Sequence, residues 1–363
     1  MLFSAGMGIG LLYFSVSEPI EHFSKPPMAQ SSATDLAIQA LDFTFLHYGL
    51  HAWAIYCVVG LSLAYFTFNK HLPLSIRAIF FPFLGRKINS IYGVIIDVIA
   101  VVATLFGLAT SLGFGARQIA SGLNFLTGIS SGVLTQIVII IVITLIATIS
   151  VITGLKKGVR FLSQLNMFVA LLFLLFIFFL TGPNASFRIF LESTGMYFNR
   201  FLEIGTWSSA FESSDWQNNW SVFYWAWWIA WSPFVGMFIA RISKGRTIKE
   251  FVLGVLLVPT LMTFFWISVF GGAALTLELN TPGSISSAVL KDSSTSLFVF
   301  LREFPLSSIT SIVGIFMVSV FFVTSSDSGS LVIDSITSGG KLNAPVGQRI
   351  LWAQIEGFVA ISL

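Results

Sequence analysis

Apolar runs of about twenty residues recur along the chain with hardly a charge inside them, and that is the length an α-helix needs to cross the hydrocarbon of a bilayer. In that solvent each backbone N–H and C=O must be bonded within its own segment, so every run is held to a helix. Nine spans are expected, at 1–17, 48–68, 91–113, 133–153, 164–182, 219–240, 251–275, 306–326 and 346–363. Composition removes the rival classes. Hydrophobic residues make up 55% of the 363 and charged ones 10%, against about 25% charged in soluble domains. Phe and Trp are too abundant for a disordered chain, and no basic cluster fits a nucleic acid. The lone Cys57 has no partner for an intrachain disulfide and no neighbours of a zinc site, so it reads as apolar filler.

Charge orients the spans. The loops after the second, fourth, sixth and eighth spans carry 13 of the 19 Lys and Arg, and the opposite loops carry Lys25, Arg117, Arg188, Arg200, Lys291 and Arg302. The positive-inside rule therefore places the first set in the cytoplasm, with the first span running outward. Residues 18–47 then fall in an outer loop. Two other loops are long. Residues 69–90 mix apolar and basic side chains and suit either a helix lying on the cytoplasmic face or a loop packed on the bundle. Residues 183–218 are expected to form an amphipathic extracellular connection. The chain begins and ends inside apolar runs, and segments are expected to be missing at both ends.

Four stretches carry chemistry. Gly6, Gly8 and Gly10 alternate in the first span; they permit either close helix packing or an unwound turn whose carbonyls suit Na+. Tyr48, Trp53 and Tyr56 are five and then three residues apart, a spacing that flanks a cavity rather than forming a narrow stripe; an interfacial aromatic belt is the alternative. Trp225, Trp227, Trp228 and Trp231 put four Trp in seven residues, too dense for a belt at one depth. Aromatic faces attract a quaternary ammonium, which has no N–H to donate. The hydroxyls of Thr324, Ser325 and Ser326 suit either a Na+ shell or a polar helix end. His47 and His51 stand four apart, but with no acidic or Cys partner nearby in the sequence no transition-metal site is expected. Asp97, Glu18 and Glu356 are the sparse charges in or near spans, and such charges are usually functional or paired. No constellation of an enzyme is present.

AGMGIG, HYGLHAWAIY, FYWAWWIAWSPFVGMFIARISKGR and FFVTSSDS, in this order, resemble the betaine/choline/carnitine transporter family over essentially the whole chain. The resemblance implies an all-α polytopic membrane protein of the leucine-transporter type, with inverted five-helix repeats at about 1–182 and 219–363 in one domain. It implies twelve spans, of which this chain holds nine, from the third into the eleventh. It further implies a bacterial-type inner membrane, no cofactor, Na+ as coupling ion, a trimethylammonium-type substrate and a homotrimer. Trp53, Tyr56 and Trp228 match the family's aromatic box, with Tyr48 where a Trp is frequent. Trp225, Trp227 and Trp231 match the rest of the Trp-rich helix, and Trp227 and Trp231 are placed along the path below the box. Thr324 and Ser325 match side chains of a Na+ site completed by backbone near Ser4, Ala5, Met7 and Phe321. Arg241 matches a cytoplasmic gate segment. The expected activity is Na+-coupled import of a glycine betaine-like osmolyte by alternating access. Alternatives are a choline importer or carnitine exchanger, proton-coupled or Na+-independent, and a Na+-coupled amino-acid transporter on the same fold.

Overall fold

A computed structural model describes residues 7–153, 156–211, 214–340 and 345–363, with backbone alone at 153 and 156–160. No strand occurs among the described residues. The main helices are α1 (Gly8–Ser24), α2 (Ala33–Tyr48), α3 (Leu50–Ala64), α4 (Ile91–Thr127), α5 (Val133–Thr153), α6 (Lys156–Thr181), α7 (Pro183–Asn199), α8 (Phe223–Ile242), α9 (Ile248–Asn280), α10 (Ser307–Thr337) and α11 (Val346–Ser362). Seven helical stretches among the described residues are long and apolar enough to cross a membrane: α2 continuing through α3 to Asn69, then α4, α5, α6, α8, α9 and α10. The other two expected spans fall on α1 and α11, of 17 residues each. The molecule is an all-helical polytopic membrane protein.

Local signals set the helix ends. Ser32 caps α2 by accepting the Asp35 amide at 3.1 Å. Thr247 and Glu250 cap α9 reciprocally. Gly128 closes α4 at a φ of +76°, a left-handed conformation that glycine adopts without strain. Along α5 the apolar surface divides by helical period. Ile139, Ile140, Ile143, Ala147 and Val151 are buried, while Val138, Ile141, Val142, Leu145, Ile146 and Ile149 are exposed and apolar, as a lipid-facing surface must be.

Three expected boundaries move. Residues 33–47, assigned to an outer loop, form α2 and are almost wholly buried from Ala37 onward. Hydropathy missed it because its Asp42, Thr44 and His47 are polar groups that folding buries; Asp42 Oδ2, for example, receives Arg200 at 3.2 Å. Helix α4 runs 37 residues, about 55 Å at 1.5 Å per residue, and takes in Arg117. Helix α10 continues to Thr337 and carries Asp327 and Asp334, the latter paired with Arg349 at 3.2 Å.

Residues 69–90 do not form a single interfacial helix; they are an irregular segment packed on the bundle, with Ser75, Ile76, Ala78 and Ile88 buried. Two one-turn helices, Ile76–Ile79 and Phe81–Leu84, precede a 3-10 turn. Arg77 donates from its Nε to Asp97 at 2.6 Å and from its backbone amide at 3.2 Å, which gives the intramembrane Asp97 a structural partner. Phe83 stands 85% exposed. In the bundle interior α8 packs on α3 and α4, while α1 lies among α2, α4, α9 and α10. That arrangement brings Tyr48, Trp227 and residues 321–324 of α10 to α1.

Candidate substrate and ion sites

The aromatic residues of α3 and α8 converge. Trp53, Tyr56, Tyr48 and Trp228 are each at most 1% exposed. Ring centroids lie 5.6 Å apart for Trp53 and Tyr56, 6.3 Å for Tyr56 and Trp228, and 5.6 Å for Tyr48 and Trp228, all near edge-on. Edge-to-face packing points the positive ring edge at the negative face of the next. Trp228 is fixed in place: its Nε1–H donates to the His47 carbonyl at 2.8 Å, and Trp227 stacks on it at 4.7 Å. Two donors in this group, Trp53 Nε1 and Tyr56 Oη, are buried and have no partner among the described residues. Buried donors are rarely left so.

The four Trp of α8 serve different neighbours. Trp228 faces α3. Trp227 donates to the Gly107 carbonyl and the Ser111 hydroxyl of α4, each at 3.2 Å, and Trp231 donates to the same Gly107 carbonyl. Trp225 is half-buried toward the junction of α2 and α3, its ring 6.0 Å from His47 and 5.9 Å from His51. The helical period fits the division, since Trp227 and Trp231 are four apart and share the face toward α4, whereas Trp225 and Trp227, two apart, do not share a face.

Of the residues expected at the ion site, Met7 stands at the start of α1, and Phe321, Thr324 and Ser325 lie in α10. Ser4 and Ala5 lie outside the described residues. Met7 and Phe321 are buried, as are Thr324 and Ser325. Helix α1 is regular from Gly8, with Leu11 bonding back to the Met7 carbonyl at 2.9 Å. The described glycines therefore serve close approach. A Cβ on Gly8 would lie 2.6 Å from the Phe321 ring, and one on Gly10 would lie 3.3 Å from the Tyr48 hydroxyl and 3.4 Å from Trp227. Gly8 thus opens α1 toward α10, and Gly10 opens it toward the aromatic cluster. The Thr324 hydroxyl donates back to Val320 or Phe321, at 2.9 and 3.2 Å, which leaves its lone pairs free for a cation. Arg241 is exposed at the last turn of α8.

A family model described as the betaine/carnitine/choline family of transporters matches residues 1–363. The chain belongs to that family. It is 49% identical to a glycine betaine/proline/choline/ectoine transporter of Vibrio parahaemolyticus over 99% of its own length and 64% of that protein's. It is 49% identical to glycine betaine transporter 1 of the same organism, covering all of this chain and 70% of that one. A glycine betaine transporter of Acinetobacter baylyi is 44% identical over all of this chain and 55% of its own length. The chain therefore spans about two thirds of the Vibrio relatives. The family is one of transporters, in keeping with the absence of any enzyme constellation in the sequence.

Sequence reasoning missed a second buried polar cluster. Glu18 receives His22 Nε2 at 3.1 Å, His47 Nδ1 at 2.6 Å and the hydroxyl of Tyr224, and His47 Nε2 meets the Ser221 hydroxyl at 3.0 Å. His47 does have an acidic neighbour, but one 29 residues away in the chain. The i, i+4 spacing of Glu18 and His22 was the available signal. Glu356 is also paired, accepting from Ser326 at 3.0 Å and Ser330 at 3.1 Å.

Proposed function

We propose that the chain forms the core of a secondary transporter that imports a glycine betaine-like quaternary-ammonium solute together with Na+ by alternating access. The observation that carries this reading is the closed cluster of Trp53, Tyr56 and Trp228, which offers aromatic faces and two buried donors without a partner among the described residues. The faces suit a trimethylammonium group, and the donors suit a carboxylate. A solute bearing both groups, such as betaine or carnitine, therefore fits better than choline, which has no carboxylate. The names of the curated relatives support the same class of substrate.

In this reading the structure is a closed state, with the cluster sealed from solvent. Na+ sits between the start of α1 and the Thr324–Ser325 turn of α10, held by hydroxyl and carbonyl oxygens, the ligands a hard cation prefers. Its binding braces α1 beside Tyr48. The solute then enters the box, and the helices around it rock against a scaffold arranged as inverted repeats. Trp227 and Trp231 flank the route below the box, Arg241 lies at its cytoplasmic end, and copies of the chain assemble as a homotrimer. Coupling requires each ligand to bind one state better than the other.

The reading is tested by uptake of labelled glycine betaine into vesicles holding the reconstituted protein, with an imposed Na+ gradient, with a proton gradient and with neither. Accumulation driven by Na+ alone supports it. Equal accumulation under a proton gradient alone favours the proton-coupled alternative, and exchange only against internal carnitine favours an exchanger.

A further inference from the structure

Glu18 and His22 lie one turn apart on α1, and His47 comes from α2; one potential ligand atom from each lies within 4.8 Å of the other two. All three residues are at most 1% exposed. Two imidazole nitrogens converge on one carboxylate oxygen, Glu18 Oε1, at 3.1 and 2.6 Å. Two of the three outer atoms of the cluster are held in the manner of metal ligands, whose far ends are usually fixed by hydrogen bonds. Tyr224 donates to the other Glu18 oxygen, and the far nitrogen of His47 is bonded to Ser221. Aromatic rings enclose the group, with Trp220 at 4.5 Å and Trp216 at 4.9 Å from the His22 ring. The far nitrogen of His22, Nδ1, is buried and without a partner among the described residues.

We propose that Glu18, His22 and His47 form a binding site for a divalent transition-metal ion of the Zn2+ type, and that its occupation holds the transporter closed. One carboxylate and two neutral imidazoles make a three-ligand set with a further position for water. Nitrogen ligands select such an ion over Na+, Mg2+ or Ca2+, which favour oxygen. Ligand atoms about 2.0–2.1 Å from a tetrahedral ion stand about 3.3 Å apart. The Glu18 carboxyl thus needs to withdraw from His47 by less than about 1 Å. The site lies near the end of α1, where Lys25 is already exposed, and the ion enters when the outer half of the bundle opens. Once bound it clasps α1 to α2. The His47 carbonyl in turn holds Trp228, and Tyr224 contacts both Glu18 and Tyr48. The clasp therefore immobilises two walls of the aromatic box. The binding half of this inference is independent of the proposed function; the closing half rests on it.

The test begins with Co2+, which stands in for Zn2+ and gives intense visible bands when four-coordinate. Purified protein titrated with Co2+ is expected to develop these bands at one equivalent per chain, and Zn2+ to abolish them. His22→Ala is expected to lose the bands and bind at least tenfold more weakly, with betaine binding in metal-free buffer unchanged. Should His22→Ala not fold, His22→Asn replaces it. His71→Ala, at an exposed position, should bind as the wild type does. Absence of bands in the wild type, or equal binding by the His22 variant, overturns the site. Zn2+ is further expected to block betaine uptake by the wild type and to spare the His22 variant. Uptake that proceeds undiminished with the site saturated overturns the closing role while leaving the site.

Discussion

Replacing Trp228 with Leu separates the two things this side chain does. Its ring forms a wall of the aromatic cluster, and its N–H satisfies the His47 carbonyl at 2.8 Å. Loss of one cation–π contact costs about 0.5–2 kcal/mol of affinity for a quaternary ammonium. At about 1.4 kcal/mol per factor of ten, that is a weakening of about 2- to 30-fold in Kd. Loss of the hydrogen bond costs about 1 kcal/mol, chiefly in stability, because the bond exists without ligand. The assay is binding by the purified protein of two solutes of nearly equal shape: glycine betaine, and 3,3-dimethylbutyrate, which carries a neutral tert-butyl group in place of trimethylammonium. Trp228→Leu should weaken betaine binding by the factor above and leave the neutral analogue nearly as it was. Trp228→Phe keeps a ring face and should retain most of the preference for the cation while still losing the hydrogen bond. An equal fall for both solutes means the ring contributes shape rather than charge recognition. An unchanged Kd for betaine in Trp228→Leu means the solute binds elsewhere, and the box reading is refuted.

Other perturbations reach the remaining parts of the structure. Thr324→Ala combined with Ser325→Ala should raise the Na+ concentration for half-maximal uptake by about tenfold or more, equivalent to about 1.4 kcal/mol; an unchanged Na+ dependence counts against this site. Gly8→Ala places a methyl 2.6 Å from the Phe321 ring and should cost about 1–3 kcal/mol by overpacking, seen as a lower Tm in detergent. Gly10→Ala, whose nearest neighbours stand at 3.3 Å and beyond, should cost less, and a reversed order would contradict the described packing of α1. Asp97→Ala removes the acceptor of two Arg77 hydrogen bonds and should lower stability by about 2 kcal/mol, which thermal unfolding with and without Asp97→Asn as a control would read.

Much of the architecture was legible because a bilayer makes hydropathy nearly sufficient. Runs such as 133–153 and 251–275 had to be helices, and they are. Helix α2 was not legible for the converse reason. Its buried polar residues look like loop residues until Arg200, Glu18 and Ser221 arrive from elsewhere in the chain. Asp97 was visible as an anomaly, but its partner Arg77 lies 20 residues away across an irregular segment. The density of Trp in α8 announced a special helix. Which ring faces which helix depends on a 100° step per residue combined with the neighbours present, and the second of these is tertiary.

The sequence by itself determined that this chain lives in a membrane, that it is helical throughout its spans, and which short stretches carry aromatic, glycine and hydroxyl chemistry. Those properties follow from solvent transfer and local backbone geometry, which act on neighbours along the chain. Only the tertiary structure decided that Trp53, Tyr56 and Trp228 share one sealed cluster while Trp225 packs against His51 at the start of α3, and that Gly8 and Gly10 open α1 to different partners. Only the fold, too, gathered Glu18, His22 and His47 around one oxygen. Such meetings join residues far apart in the chain, 181 positions in the case of Trp228 and His47, and are set by how helices pack, which no periodicity within a single helix records.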